Sequence, residues 1–205
     1  MTEVVPTGVD GRALRSRGAR TRQRLLEAAE DVFAELGYHE ASIVKITEAA
    51  GVAQGTFYLY FASKKEVFDE LVRDLNRRVR HAMKEASSQG ETRLEQELLG
   101  FRAYFRFTAE HRALYRIIRQ AEFVSPEMLH YHYERLTEGY VEGLRAAMER
   151  GEIAEIDPEV VAWALMAMGE LIGMRWILWE ERDEVPPEVL LELDRIIASI
   201  LERPA

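Results

Sequence analysis

Between Ser42 and Glu66 the chain reads S-I-V-K-I-T-E-A-A-G-V-A-Q-G-T-F-Y-L-Y-F-A-S-K-K-E, and this stretch restricts the fold more than any other. Ile43, Ile46 and Ala50 recur at i, i+3 and i+7, one face of a helix about two turns long. Ser42 precedes that run, where its hydroxyl can accept from backbone N–H groups left free at a helix start. Gly51 follows the last periodic residue, where a helix stop often needs a left-handed conformation. A second short run, Gln54 to Phe61, begins just beyond. Two short helices around a Gly-containing turn of three or four residues describe a helix-turn-helix.

The second run is not core alone. Phe57 and Phe61, at i and i+4, can face inward. That leaves Gln54, Gly55, Thr56, Tyr58 and Tyr60 on or near the outer side. Such side chains hydrogen-bond base edges and phosphates, and a glycine lets a backbone approach closely. Lys64 and Lys65 follow with the charge a phosphate needs. The segment A-A-G-V-A-Q-G-T-F-Y-L-Y-F-A-S-K-K-E resembles the signature of TetR-family transcriptional regulators, which typically reads A-G-V-S-x-G-T-(L/F)-Y-x-(H/Y)-F-x-S-K-(E/D). The resemblance covers Thr21 to Leu71, about a quarter of the chain. Ala53 departs from it by standing where Ser is usual, Tyr60 where His is frequent, and Lys45 where an acid is common.

The resemblance implies an all-α protein, with an N-terminal three-helix helix-turn-helix DNA-binding domain and a C-terminal helical ligand-binding and dimerisation domain. It implies ligand-responsive control of transcription, with repression as the expected direction, by a homodimer on a palindromic operator. Gln54, Thr56 and Tyr58 are the candidates for base contact. Ser42, Lys45, Tyr60 and Lys64 are the candidates for phosphate contact, with Gly55 and Arg20 completing the DNA-binding set. The expected division is a disordered basic arm over 1–18, the DNA-binding domain over 19–65 and the ligand-binding domain over 66–205.

The net charge of −9 argues against nucleic acid until its distribution is considered. Residues 1–65 hold nine Lys/Arg against eight Asp/Glu, whereas residues 66–205 hold eighteen against twenty-eight. Arg12, Arg15, Arg17, Arg20, Arg22 and Arg24 form a block with no acid among them. Association with DNA follows the local patch rather than the sum. Arginines at a helix N-terminus oppose the helix dipole, and a DNA phosphate would supply the missing anion. A solvated basic tail is the alternative.

The rest of the chain carries only helical patterns. Gly37 stops helix 1. Helix 4 runs from about Ser63 to about Ala86 and, at roughly 33 Å, can link a DNA-binding head to the remainder. Helix 5 covers about Thr92 to Ala109 and helix 6 about Arg112 to Phe123. Ser125-Pro126 opens helix 7 and Asp157-Pro158 opens helix 8, with Pro at the first helical position. Helix 8 is expected to reach about Glu181, and helix 9 to run from Pro186-Pro187 to about Leu201. Helix 8 is apolar nearly all round, which calls for cover on both sides. The resemblance implies that helices 8 and 9 pair with the same helices of a second subunit. Glu170 and Arg175 interrupt the apolar run Val160 to Trp179, so it reads as a buried helix rather than a membrane span.

Aromatic side chains cluster in the second part. Phe101, Tyr104, Phe105, Tyr115, Phe123, Tyr140, Trp163, Met166 and Glu170 are the candidates for a small-molecule site, with plain core as the alternative for each aromatic. Gly139–Gly143 and Gly169–Gly173 lie inside long helices, where each costs about 1 kcal/mol against Ala. They either let helices approach or leave open volume. A large apolar pocket with a few polar groups suits a hydrophobic effector. Arg102, Arg106, Arg112, Arg116 and Arg119 are either a solvated face or a mouth holding the phosphates of an acyl-CoA.

Other classes find little support. With no cysteine in 205 residues, disulfides and thiol catalysis are excluded and a cytoplasmic protein is favoured. No signal peptide, Gly-rich phosphate loop or nucleophile elbow appears. His130 and His132 lie about 200° apart around a helix and cannot share a metal; surface positions are expected for the histidines. No enzyme activity, metal or cofactor is expected. A helical carrier or dimeric scaffold without specific DNA binding, and a sequence-indifferent DNA-packaging protein, remain as alternatives.

Overall fold

The computed structural model describes residues 7–9 and 11–202. Among them the named elements are all helical: α1 (Ser16–Glu40), α2 (Ile43–Ala49), α3 (Gln54–Phe57), α4 (Lys64–Ser87), α5 (Arg93–Glu110), α6 (Ala113–Val124), α7 (Pro126–Glu149), α8 (Pro158–Gly173) and α9 (Pro187–Leu201). The all-α expectation holds.

Local chemistry sets several helix ends. Gly37 breaks α1 at φ +76°, a conformation that favours glycine. Ser42 caps α2 by accepting from the Lys45 N–H. Thr92 and Glu95 form a reciprocal capping box at the start of α5. The Asp157 carboxylate accepts from the N–H groups of Glu159 and Val160, with Pro158 opening α8.

Two elements differ from the sequence expectation. α3 is only four residues long and continues to Phe61 as hydrogen-bonded turns, because Tyr60 and Phe61 both donate back to the Phe57 carbonyl. α8 ends at Gly173 and passes into a π-helical turn over Met174–Trp179. Glu181 follows with φ +54°.

The chain divides into two compact units. The first is Met1–Asp74 with Arg116–Leu129, and the second is Leu75–Tyr115 with His130–Ala205. A single crossing after residue 65 was expected. The chain instead crosses three times, because most of α6 and the start of α7 belong with the first unit. Gln120 accepts from the Tyr38 N–H at 2.5 Å, just past the Gly37 break, and Arg116 donates to the Ala34 carbonyl at 3.2 Å. Lys65 joins Asp69, Glu127 and the buried Ser125. Held by that ammonium, the exposed Glu127 carboxyl sits down at about 2.

The first unit is built on Leu25, Ala29, Val32 and Phe33 of α1, Ile46 of α2, Phe57, Phe61, and Val67, Phe68, Leu71 and Val72 of α4, all buried. Ile117, Ile118 and Ala121 of α6 are buried in it too. Leu36, expected on the inner stripe of α1, is 37% exposed; it is the last residue before the Gly37 break. In the second unit α5 packs against α8, the π turn and α9. That core holds Phe101, Phe105, Tyr115, Leu144, Leu165, Met174, Ile177, Leu193 and Ile197.

Candidate nucleic-acid interface and ligand cavity

In the first unit, burying Phe57 and Phe61 fixes the rotation of the α3 run. Both rings are fully buried, their centroids 5.5 Å apart. With that face committed inward, Gln54, Gly55 and Tyr58 are exposed and Thr56 is half-buried. A Cβ built on Gly55 meets nothing within 4 Å, and its φ is not left-handed. Nothing inside the chain therefore requires glycine there. Tyr60 is half-buried, its hydroxyl beside Gly18 of α1.

The basic residues divide into outward and inward groups. Arg15, Arg17 and Arg20 are exposed at the start of α1, whose first turn contains no acid and no side-chain cap. Arg22 pairs with Glu70 at 2.7 Å and lies over the Phe61 ring at 4.9 Å. Arg24 donates to the Ala50 carbonyl at the end of α2 at 2.5 Å. Lys64, expected at a phosphate, turns inward: its ammonium donates to the carbonyls of Tyr38 at 2.7 Å and Ala41 at 2.8 Å. It also sits 4.3 Å from the centre of the Tyr38 ring. Burial pushes its pKa down. Lys45 is exposed and reaches the Glu40 carbonyl at 3.0 Å, and Ser42 spends its hydroxyl on the α2 cap.

The expected disordered arm falls partly on residues 1–6 and 10, outside the described residues. The described part is a turn: Gly8 donates to the Arg12 carbonyl at 3.0 Å and Thr7 bridges Ala13. The Val9 N–H donates to the Leu59 carbonyl at 3.1 Å, which ties this segment to the end of the α3 run.

The second unit contains two cavities of different character. A small one, about 20 Å³, is lined by Met83, Phe101, Tyr104, His132, Tyr133, Leu136, Tyr140, Leu165, Met166, Gly169 and Glu170. Five candidates from the sequence meet there: Phe101, Tyr104, Tyr140, Met166 and Glu170. Glu170 accepts from the Tyr133 hydroxyl at 2.8 Å. Burial raises the phenol pKa values of both Tyr104 and Tyr140. Phe105 and Tyr115 are core residues beside the cavity, and burial pushes Tyr115 up to about 12. Trp163 is 41% exposed and leans on Tyr133. Phe123 is 81% exposed and belongs to the first unit, so it lines neither cavity; its place on α6 points it away from Ile117 and Ala121.

The larger cavity, about 650 Å³, is lined by Arg80, Met83, Lys84, Ser87, Ser88, Arg93, Gln96, Glu97, Arg135, Leu136, Glu138, Gly139, Tyr140 and Glu142. The sequence reading missed it. The glycine spacing on α7 was the available signal, since Gly139 faces open space while Gly143 leaves room for the Arg93 guanidinium. Gly169 and Gly173 serve the other purpose, close approach: Gly169 lies against Phe101 and Gly173 against the Tyr115 hydroxyl. The arginines on and near α5 and α6 line neither of these two cavities. Arg102 pairs with Asp194 at 2.5 Å and Arg112 with Asp183 at 2.8 Å. Arg116 serves α1, and Arg106 and Arg119 are exposed.

His132 is buried, at 5% exposure, contrary to the surface position expected. Asn76 donates to its Nδ1 at 3.2 Å and to its carbonyl at 3.0 Å, while the Arg80 Nε–H donates to the Asn76 side-chain oxygen. Burial, with Arg80 nearby, pushes His132 down to about 3. Between that value and the ~6.5 of an unfolded histidine, the unfolded chain binds the extra proton. Stability therefore falls as pH drops through that window. This ring is expected to cost about 2 kcal/mol between pH 7.5 and pH 5. Urea unfolding of wild type and His132→Gln at the two pH values measures it. Equal acid losses in the two proteins would place the lability elsewhere.

Among the described residues no group of three or more His, Cys, Asp or Glu side chains could hold a metal ion. The segment Pro158–Trp179 is long and apolar enough to cross a membrane by length and composition, and 33% of its most apolar window is buried. Its exposed side carries Val160, Trp163, Leu171 and Trp179, and α9 exposes Leu191 and Ile196.

The chain matches the family model described as "Bacterial regulatory proteins, tetR family" over residues 25–71. It is 33% identical over 175 residues to the uncharacterized HTH-type transcriptional regulator YdgC of Bacillus subtilis (strain 168), covering 83% of this chain and 88% of that protein. It is 31% identical over 137 residues to the fatty acid metabolism regulator protein of the same organism, covering 64% of this chain and 70% of that protein. The fold resembles the crystal structure of the regulator FadR from Bacillus subtilis in complex with stearoyl-CoA. The TM-score is 0.72 at 22% identity, covering 86% of this chain and 95% of that one.

Proposed function

This chain belongs to the TetR family of bacterial transcriptional regulators, and from that premise we propose that it represses transcription as a homodimer on a near-palindromic operator and is released by a small hydrophobic effector. One observation carries the DNA-binding part. Phe57 and Phe61 are fully buried while Gln54, Gly55 and Tyr58, on the other flank of the same run, stand exposed. Gln54, Thr56 and Tyr58 read bases in the major groove. Gly55 admits the DNA backbone closely, and Arg20, Lys45 and Tyr60 hold phosphates. Ser42 and Lys64 act one step back: Ser42 shapes the start of α2, and Lys64 ties the end of α1 to the start of α4. Two such surfaces related by a two-fold axis reach half-sites about 34–36 Å apart.

The dimer forms through the exposed apolar faces of α8 and α9. An acyl-CoA is the specific effector candidate, supported by the 31% identity to a fatty acid metabolism regulator. The effector acts by favouring one separation of the two heads, transmitted along α4, which contributes residues to both units. It can do so only by binding one separation more tightly than the other.

Selection of bound duplexes followed by gel-shift titration tests this reading. Nanomolar, palindrome-selective binding is expected. Thr56→Ala should lose about 1–3 kcal/mol of discrimination at one base position. Arg20→Ala should weaken all sequences alike and lower the salt slope by about 1. Uniform weak binding to every duplex would mean a packaging protein, and none at all a carrier or scaffold.

A further inference from the structure

Resting on the effector reading above, we propose that the 650 Å³ cavity binds the anionic head group of an amphiphilic effector, whose apolar tail enters the small cavity beyond Tyr140. Size gives the first argument. The inner cavity, at about 20 Å³, has room for about one water. Ligand pockets run to roughly 300–1,000 Å³, and the outer cavity alone is in that range. Any tail must therefore displace side chains, whereas the head has a place already formed.

Charge gives the second. Arg80 and Lys84 stand one helical turn apart on α4, Arg93 begins α5 and Arg135 comes from α7. Three carboxylates share the lining, but two are taken: Glu97 pairs with Arg93 and Glu138 with Arg135. Arg80 and Lys84 make no ion pair among the described residues, and only Glu142 is left to oppose them. Four cations against three carboxylates leave a positive surplus on one wall, the arrangement that suits a phosphate or carboxylate.

The two cavities are continuous in their lining. Met83, Leu136 and Tyr140 line both. Met83 and Met166 are unbranched side chains that repack at low cost, so the inner space can open to a chain of methylenes. Orientation follows from Glu170 on the inner wall, because a second anion beside that carboxylate would be repelled. The tail goes in and the head stays out. Gly139 keeps the outer volume clear, since a side chain there would project into open space.

Calorimetry on the full chain with three probes sharing one tail tests the proposal: dodecyl phosphate, dodecyl glucoside and dodecyltrimethylammonium, all below their micelle concentrations. The phosphate should bind at least tenfold more tightly than the other two. Lys84→Ala and Arg80→Gln should each cut the preference for phosphate over glucoside several-fold. Gly139→Trp should weaken the phosphate most, by filling the outer cavity. Circular dichroism and thermal midpoints establish that each variant is folded. Equal binding of all three probes, or a preference for the cation, overturns the head-group assignment and leaves the hydrophobic effector standing. Failure of all three to bind wild type overturns both.

Discussion

Glutamate at both Leu171 and Trp179 is expected to turn the protein into a monomer and to lower its operator affinity by at least a hundredfold. The two side chains are 60% and 63% exposed, and with Val160, Trp163, Leu191 and Ile196 they form apolar surface on α8, the π turn and α9. Large exposed apolar patches mark interaction surfaces, and on the dimer reading this one is the interface between subunits. A carboxylate placed where such a surface closes must be stripped of water without a partner, which is prohibitive. Two linked DNA-binding heads gain about 10²–10⁴ in affinity over one, and the monomer forfeits that gain with no residue of the first unit changed. Sedimentation equilibrium and gel-shift titration on the same preparation measure both effects. A dimer that persists with unchanged affinity would remove α8 and α9 from the assembly.

Replacing Arg93 by methionine is expected to destabilise the fold by about 3–5 kcal/mol, the cost of breaking a buried ion pair. Its partner Glu97 is 3% exposed. Burial already raises the Glu97 pKa against the opposing pull of Arg93. With the guanidinium gone, the carboxyl shifts further upward, so the folded state binds the extra proton. The penalty is then largest near neutral pH and shrinks on acidification toward the ordinary carboxylate range. Glu97→Gln added to Arg93→Met should recover most of the loss. Urea unfolding of the two single variants and the double variant measures the pairing directly. A double variant no more stable than Arg93→Met would mean that Arg93 matters for its packing beside Gly143, not for its charge.

The helix-turn-helix was legible because its information is local. Ile46, Ala50, Phe57 and Phe61 announce their buried face by spacing alone, and all four are buried. The cations were less legible, since a sequence shows a charge and not the distance to its partner. Lys64 and Arg24 resemble phosphate ligands in a list of residues. Each instead satisfies carbonyls at the end of a helix 23 to 26 positions away in the chain. Helix capping of this kind depends on how helices meet, which periodicity does not report. Phe123 failed as a cavity residue for the same reason: an aromatic count gives composition, not direction. The α7 and α8 glycines carried the right pair of alternatives, and each pair resolved differently. The outer cavity draws its cations from α4, α5 and α7, so no single window of sequence contains it.

The three crossings between units bear on any attempt to work with the DNA-binding part in isolation. A fragment stopping after Asp74 would leave behind Ile117, Ile118 and Ala121 and the Gln120 amide that steadies Tyr38. Grafting this specificity onto a relative would therefore mean transplanting two separated pieces of sequence, 116–129 along with the N-terminal helices.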